Sequence, residues 1–338
     1  MKKYTNINII STGAYIPTRK VENEYFIKYF AERGINTVEH LLKKLNKKTR
    51  YFTENGETSL SMGHEAALMA LESSDVTRND IDMIIFVSAE PEFLNPTTSM
   101  VLRDLLKAHN AHTVFDINDT GLGGITGINT AAKYALANDD IKTALIVCAQ
   151  NISPVVDKED SVAYSILADS AVAMILQKEK ADIKKGFINN VNFCRGAFVN
   201  NIKFPSGGLT KALSNTSTPV PKQERNFTWN MFDNSWVPSD IAELTEKLLK
   251  KSQIAAKDID YCFMSQLCKD VLDNGLKKVK ISPEKNFYVG DEYGYTGPTG
   301  PILALHCARK KGLITKGTNI LMGSIGSGVD YAMCLFKC

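Results

Sequence analysis

Apolar and polar positions along this chain fall into blocks that repeat at long range. DIDMIIFVSAE at 80–90 sets a polar turn before a continuous apolar run of strand length, and DIDYCFMSQLC at 258–268 does the same. KTALIVCAQ at 142–150 and GTNILMGSI at 317–325 make a second pair of buried-strand patterns at nearly the same offset. A helix-period pattern precedes each DID strand. The first, SLSMGHEAALMALESS at 59–74, opens on a serine cap, and the second, SDIAELTEKLLKKSQ at 239–253, opens on Ser239 or Asp240. Another helix and another strand follow each. This alternation predicts an α/β architecture with a mostly parallel sheet covered by helices in each half, repeated about a pseudo-twofold axis. PSGGLTKALSNTSTPVPKQER at 205–225, rich in Pro, Ser and Thr, reads as a long surface connection. The halves are then expected at 1–178 and 229–338, with 179–228 as a connecting and insertion segment.

Composition narrows the possibilities. A chain of 338 residues that is 44% apolar can bury a large core. Lys plus Arg at 40 against Asp plus Glu at 37 leaves a net charge of +3, too small for a nucleic-acid partner. The densest basic stretch, LLKKLNKKTR at 41–50, reads as a solvated helix face. No apolar run approaches the roughly 20 residues of a membrane span, and MKKYTNINII is too short and polar for a secretory signal. A cytoplasmic chain with no membrane association is expected. Seven cysteines without a CxxC pair read as buried thiols, and five histidines without HxxxH or HExxH spacing give no support for a metal site.

NDTGLGGITG at 118–127 holds four glycines between a β-prone run, HTVFDIN, and a helix-prone one, ITGINTAAKYALA. Phosphate loops and nucleophile elbows both occur at such strand-to-helix junctions. The spacing is neither GxGxxG nor GxxxxGK[ST], and no acidic residue follows at the strand end expected for a dinucleotide site. The alternative is steric, since glycine lets one backbone approach another without a Cβ clash.

FDINDTGLGGITGINTA also resembles the strand and buried helix start of the 3-oxoacyl-(acyl-carrier-protein) synthase III family of the thiolase superfamily. The likeness extends through INIISTGAYIPTRKVEN, TRYFTENGETSLSMGHEAA, DIDMIIFVSA, the proline of NPTTSMVLRDLL, ILADSAVAMIL and GSIGSGVDYA. It implies a thiolase-like fold, two pseudo-symmetric halves with mixed sheets in αβαβα layering. It also implies a chemistry in which a cysteine thiolate at a helix start takes an acyl group, and a histidine and an asparagine stabilise the enolate of a decarboxylating malonyl thioester. At those positions this chain is expected to carry Gly121 for cysteine, Ser265 for the histidine of HQAN (here SQLC) and Tyr295 for the asparagine of GNT (here GYT). The resemblance assigns oxyanion backbone amides to Gly121, Gly326, Ser327 and Gly328, and substrate-tunnel positions to Asn95, Gln266 and Cys268. Tyr295 is expected to plug the vacated space. Neither Thr120 nor His306 is expected to replace a catalytic group.

No cofactor is expected beyond a coenzyme A or phosphopantetheine thioester. VEHLLKKLNKK puts His40 or a leucine where the family stacks a tryptophan on adenine, which argues against coenzyme A. Lys43, Lys44, Lys47 and Lys48 are candidate contacts for an acyl carrier protein. The resemblance implies a dimer paired through the strand near 113–118, in which AEPEFLNPT (89–97) offers Asn95 to the partner's pocket. The expected function is a non-catalytic subunit, a pseudoenzyme paired in a homodimer or with a competent homologue, in fatty acid, polyketide or secondary-metabolite biosynthesis. The alternatives are a non-covalent acyl-thioester transferase or hydrolase, and a synthase with altered catalytic residues.

Overall fold

The computed structural model describes residues 3–214 and 219–338. The predicted apolar runs become the inner strands of two sheets. The first contains β1 (Tyr4–Tyr15), β2 (Met83–Val87), β3 (Thr113–Ile117), β4 (Thr143–Gln150) and β5 (Ser170–Ala181), in the order β1-β5-β4-β2-β3. Every residue of β2 and β4 is buried, as continuous apolar strands covered on both faces must be. The second contains β6 (Gly186–Cys194), β7 (Tyr261–Phe263), β8 (Asn319–Gly326) and β9 (Asp330–Lys337), in the order β7-β8-β9-β6.

The duplication is explicit in the ladders. β2 pairs parallel with β4 as β7 does with β8, and in each copy two antiparallel ladders follow, through β5 to β1 and through β9 to β6. The counterpart of β3 in the second copy is reduced to one bridge, Cys262 with Asn286. Both sheets are therefore mixed, and the expectation of a mostly parallel sheet holds only for their strand–helix–strand centres. β9 returns beside β8 by a three-residue turn, and a tight reversal pairs strands antiparallel, whereas β5 returns antiparallel to β4 after a longer connection that holds the short helix Ser161–Ile166. β6 lies inside the segment expected to connect the halves, yet it is the outer strand of the second sheet.

Helices α1 (Ser59–Glu72) and α2 (Thr98–Leu105) cover the outer face of the first sheet, sharing a core with Ile84, Phe86 and Val147. Helices α4 (Val237–Ser252) and α5 (Lys269–Lys278) cover the second, around Met264, Leu321 and Met333. Between the sheets lie α3 (Gly123–Ala137) and α6 (Gly300–Lys310), in one cluster with Ile146, Met174, Met322 and Phe336. This is an αβαβα stack. A helix clamped between two sheets needs small residues, and α3 buries Gly123, Gly124, Gly127, Ala131, Ala132 and Ala135.

Two helix starts differ from the sequence reading. The cap of α1 is Thr58, whose side chain accepts from the Ser61 N–H while Ser61 Oγ accepts from the Thr58 N–H, a reciprocal box one residue earlier than expected. α4 begins at Val237, with Pro238 in its first turn, where the missing N–H costs no helical bond. The 205–225 segment carries two one-turn helices, Leu209–Ala212 and Lys222–Arg225, and part of it (215–218) lies outside the described residues. Among the described residues, no helix is long and apolar enough to cross a membrane and no three His, Cys, Asp or Glu side chains gather as metal ligands.

Candidate active site

The C-terminal ends of β2 and β4 and the N-terminal end of α3 face a cavity of about 300 Å³, at the lower end of the size usual for small-molecule sites. Its walls are mainly apolar, with Leu41, Ile152, Ile166, Phe227, Trp229 and Val329 among them. Gly121, Ser265 and Tyr295, far apart in sequence, all line it. The duplicated topology brings them together, since each half delivers its loops to the same end of the stack.

Gly121 sits in a 3₁₀ turn, Thr120–Leu122, directly before α3. A Cβ built on Gly121 would lie 2.5 Å from Tyr295 Oη and 2.8 Å from the Ile325 carbonyl oxygen. The phenol thus occupies the space that a side chain at 121 would need. Gly124 is constrained in the same way, its Cβ position lying 2.2 Å from the Pro298 carbonyl oxygen. The glycine-rich stretch is therefore a close-packing surface and presents no phosphate cradle to the cavity.

Tyr295 is fixed by its backbone. Its N–H donates to the Ile166 carbonyl (2.9 Å), and its carbonyl accepts from the Ala168 N–H (3.0 Å) and from Gln150 Nε2 (3.0 Å). The Trp229 ring stands edge-on, with centroids 6.2 Å apart. Burial pushes the phenol up to about 12, and Ser265, whose side chain is within reach to donate to Oη, partly offsets the shift. At neutral pH Tyr295 is a neutral phenol.

The other expected site residues divide. Gly326 and Ser327 line the cavity, but the Ser327 N–H donates to Thr120 Oγ1 at 2.9 Å and is already engaged. Gly328 does not line it, and its carbonyl accepts from the Phe198 N–H. Gln266 turns away from the cavity. Its Oε1 accepts from the Val289 and Gly290 N–H groups at 2.7 and 3.0 Å, and its Nε2 donates to the Met264 carbonyl, so it braces loops instead of contacting a substrate. Cys268 lines the cavity as the residue preceding α5, and all seven cysteines are free thiols. Asn95 is exposed and lies outside this chain's own cavity. His306 bonds Thr12 through Nδ1 at 3.1 Å, remote from the cavity lining, and burial lowers its pKa.

The basic cluster is only partly the solvated helix face expected. Lys43 and Lys44 lie exposed on the helix Val38–Lys44, with Lys44 reaching the cavity wall, and exposed Lys48 pairs with Asp291 at 2.9 Å. Lys47 follows the helix and is buried. Its Nζ donates to the Gln266 carbonyl at 2.6 Å and to Tyr288 Oη at 2.7 Å, and desolvation, aided by Arg50, lowers its pKa to about 7.

Sequence reasoning missed one titratable group of the cavity, Glu90. It closes the loop after β2, and its Oε2 is buried with no hydrogen-bond partner. Desolvation, then the nearby Asp169, raises its pKa to about 8. The signal was available, because a polar residue just past the carboxyl end of a central parallel strand stands where ligands bind in α/β sheets.

The sequence model described as 3-oxoacyl-[acyl-carrier-protein (ACP)] synthase III matches residues 115–193, and the one for the C-terminal part of the same enzymes matches 249–338. The chain is 26% identical over 347 aligned residues to a beta-ketoacyl-[acyl-carrier-protein] synthase III of Clostridium tetani, covering 99% of each. Among solved structures, the 3-oxoacyl-[acyl-carrier-protein] synthase III of Aquifex aeolicus superposes with a TM-score of 0.84 at 22% identity, over 98% of this chain and 100% of that one. A priming beta-ketosynthase of a polyketide biosynthetic pathway superposes with a TM-score of 0.86 at 19% identity, over 98% and 96%.

Proposed function

Because the chain belongs to the 3-oxoacyl-[acyl-carrier-protein] synthase III family, we propose that it is a ketosynthase-like subunit of a fatty acid, polyketide or related pathway that has given up the covalent step. On this reading, Gly121, Ser265 and Tyr295 stand at the cysteine, histidine and asparagine positions, and the chain pairs with a homologue that retains all three. The observation that carries the reading is the Tyr295 hydroxyl filling the side-chain space at 121. Glycine offers no group to acylate, and loss of a single oxyanion donor alone lowers rates roughly 10²- to 10³-fold.

Two surfaces support the partner role. β3 is an edge strand, and exposed Phe93, Leu94 and Met100 lie on the chain leading to it. Continuing the sheet across β3 would cover both and carry Asn95 toward the partner's cavity. Lys44 on the cavity wall, with the exposed Lys43 and Lys48 near it in sequence, suits the acidic surface of an acyl carrier protein.

The test is co-expression with a cysteine-, histidine- and asparagine-bearing homologue from the same genome, followed by intact-mass analysis after incubation with acyl thioesters. A stable mixed dimer acylated only on the homologue is expected. Acylation of this chain, or malonyl-dependent condensation by this chain alone, would overturn the reading. The open cavity beside Tyr295 favours, second, a non-covalent acyl-thioester transferase or hydrolase. That version requires turnover by the isolated chain that changes in Tyr295→Asn and Ser265→His.

A further inference from the structure

Two titratable side chains reach the mainly apolar cavity from different loops. Tyr295 enters from the loop before α6, and Glu90 from the loop after β2. Burial keeps the Tyr295 phenol protonated at neutral pH, so its hydroxyl has a proton to donate. Oε2 of Glu90 is buried and has no protein partner. An ionised carboxylate left in that position would carry an uncompensated charge in apolar surroundings, whereas a protonated one needs only an acceptor.

We propose that Glu90 and Tyr295 together form a binding site for the carbonyl oxygen of a neutral ligand with an apolar chain, each donating one hydrogen bond to that oxygen. The site lies beside Gly121, whose side-chain space the Tyr295 hydroxyl fills, and it uses no group of a partner subunit. The two groups line one cavity of about 300 Å³, small enough for a single ligand to meet both. Ile152, Ile166, Phe227 and Trp229 supply the apolar wall for the chain. A phenol and a neutral carboxylic acid in an apolar pocket are a known way to hold a carbonyl or oxyanion.

Proton occupancy gives the site a pH signature. Glu90 faces Asp169, whose carboxylate accepts from the Ile152 and Ser153 N–H groups, and also Tyr295 and the backbone N–H of Asn151; among the described residues Lys44 is the cation on the cavity wall. With its pKa raised to about 8, Glu90 is a donor at neutral pH and loses that role as pH rises through this value.

The experiment is calorimetric titration of the purified full chain with a medium-chain methyl ketone and with the primary amine of the same length, from about pH 6 to about pH 9. The ketone is expected to bind, and to weaken about five- to tenfold across that range as one hydrogen bond is lost. Glu90→Gln, which keeps a donor but cannot ionise, is expected to bind the ketone with no pH dependence. Glu90→Leu and Tyr295→Phe are expected to weaken it about five- to tenfold while unfolding at temperatures near the wild type. The proposal is overturned if the wild type does not bind the ketone, if Glu90→Leu binds it as tightly, or if the amine is preferred and tightens with pH, which would make Glu90 a carboxylate.

Discussion

Replacing Gly121 with alanine adds one atom, and the structure states what that atom meets: Tyr295 Oη at 2.5 Å and the Ile325 carbonyl oxygen at 2.8 Å. Ordinary contacts to carbon begin near 3.4 Å, so the tyrosine, held by three backbone hydrogen bonds, must yield by most of an ångström. Overpacking of this kind costs about 1–3 kcal/mol. For a 338-residue chain with an unfolding entropy of about 2.1 cal/mol/K per residue, this lowers the apparent Tm by ~1–4 °C. Tyr295→Phe removes the clashing oxygen and leaves the ring carbon Cζ at 3.7 Å, an ordinary contact. It also loses the Ser265 interaction, a loss that cancels in a double-mutant cycle. Urea denaturation of wild type, Gly121→Ala, Tyr295→Phe and the double variant should therefore give a favourable coupling of about 1 kcal/mol or more, beyond the ~0.5 kcal/mol scatter of independent sites. Strict additivity, or an alanine variant as stable as the wild type, would show that the phenol does not fill the space at 121.

Three further predictions concern buried titratable side chains. The folded state holds a proton on Glu90 that the unfolded chain has already lost, so between about pH 4.5 and about pH 8 the folded state binds more protons and stability falls as pH rises; Glu90→Gln should flatten that slope in denaturation measured across the window. Lys47 has the opposite sign, because its folded pKa of about 7 lies below its usual 10.5 and the unfolded chain binds more protons between the two. Stability should rise with pH in that window, and Lys47→Met should abolish the rise. Arg50, fully buried, donates from Nε to the Ser165 carbonyl and from Nη1 to Asn23 Oδ1, with its guanidinium 4.5 Å from the centre of the Phe26 ring. A lysine cannot span both acceptors and stack, so Arg50→Lys should destabilise by about 1–3 kcal/mol in urea titration, and an unchanged midpoint would contradict that role.

Most of the fold was legible because its signals are local. The DID strands, the helix patterns before them and their recurrence record which residues are buried on two faces, and burial on two faces is what makes a strand uniformly apolar. Strand direction was less legible: apolar content marks β5 and β9 as buried but does not say that they return antiparallel. Short-range chemistry also misplaced two helix starts, since Thr58 and Pro238 compete well with the serines next to them. In the site, the resemblance led to Gly121, Ser265 and Tyr295, and all three line one cavity. The resemblance placed Gln266 in the tunnel and the charge pattern placed Lys47 on the surface, where the folded chain makes the first a loop brace and the second a buried donor.

The sequence by itself determined that two copies of one strand–helix pattern must stack, and that residue 121 carries no nucleophile. Tertiary structure alone decided why 121 is glycine, what Glu90 faces, and which lysine of KKLNKK is buried. Those properties belong to pairs of groups distant along the chain. Tyr295 reaches Gly121 only after both halves have delivered their loops to one end of the stack, and Glu90 lines a cavity whose wall is assembled from both halves.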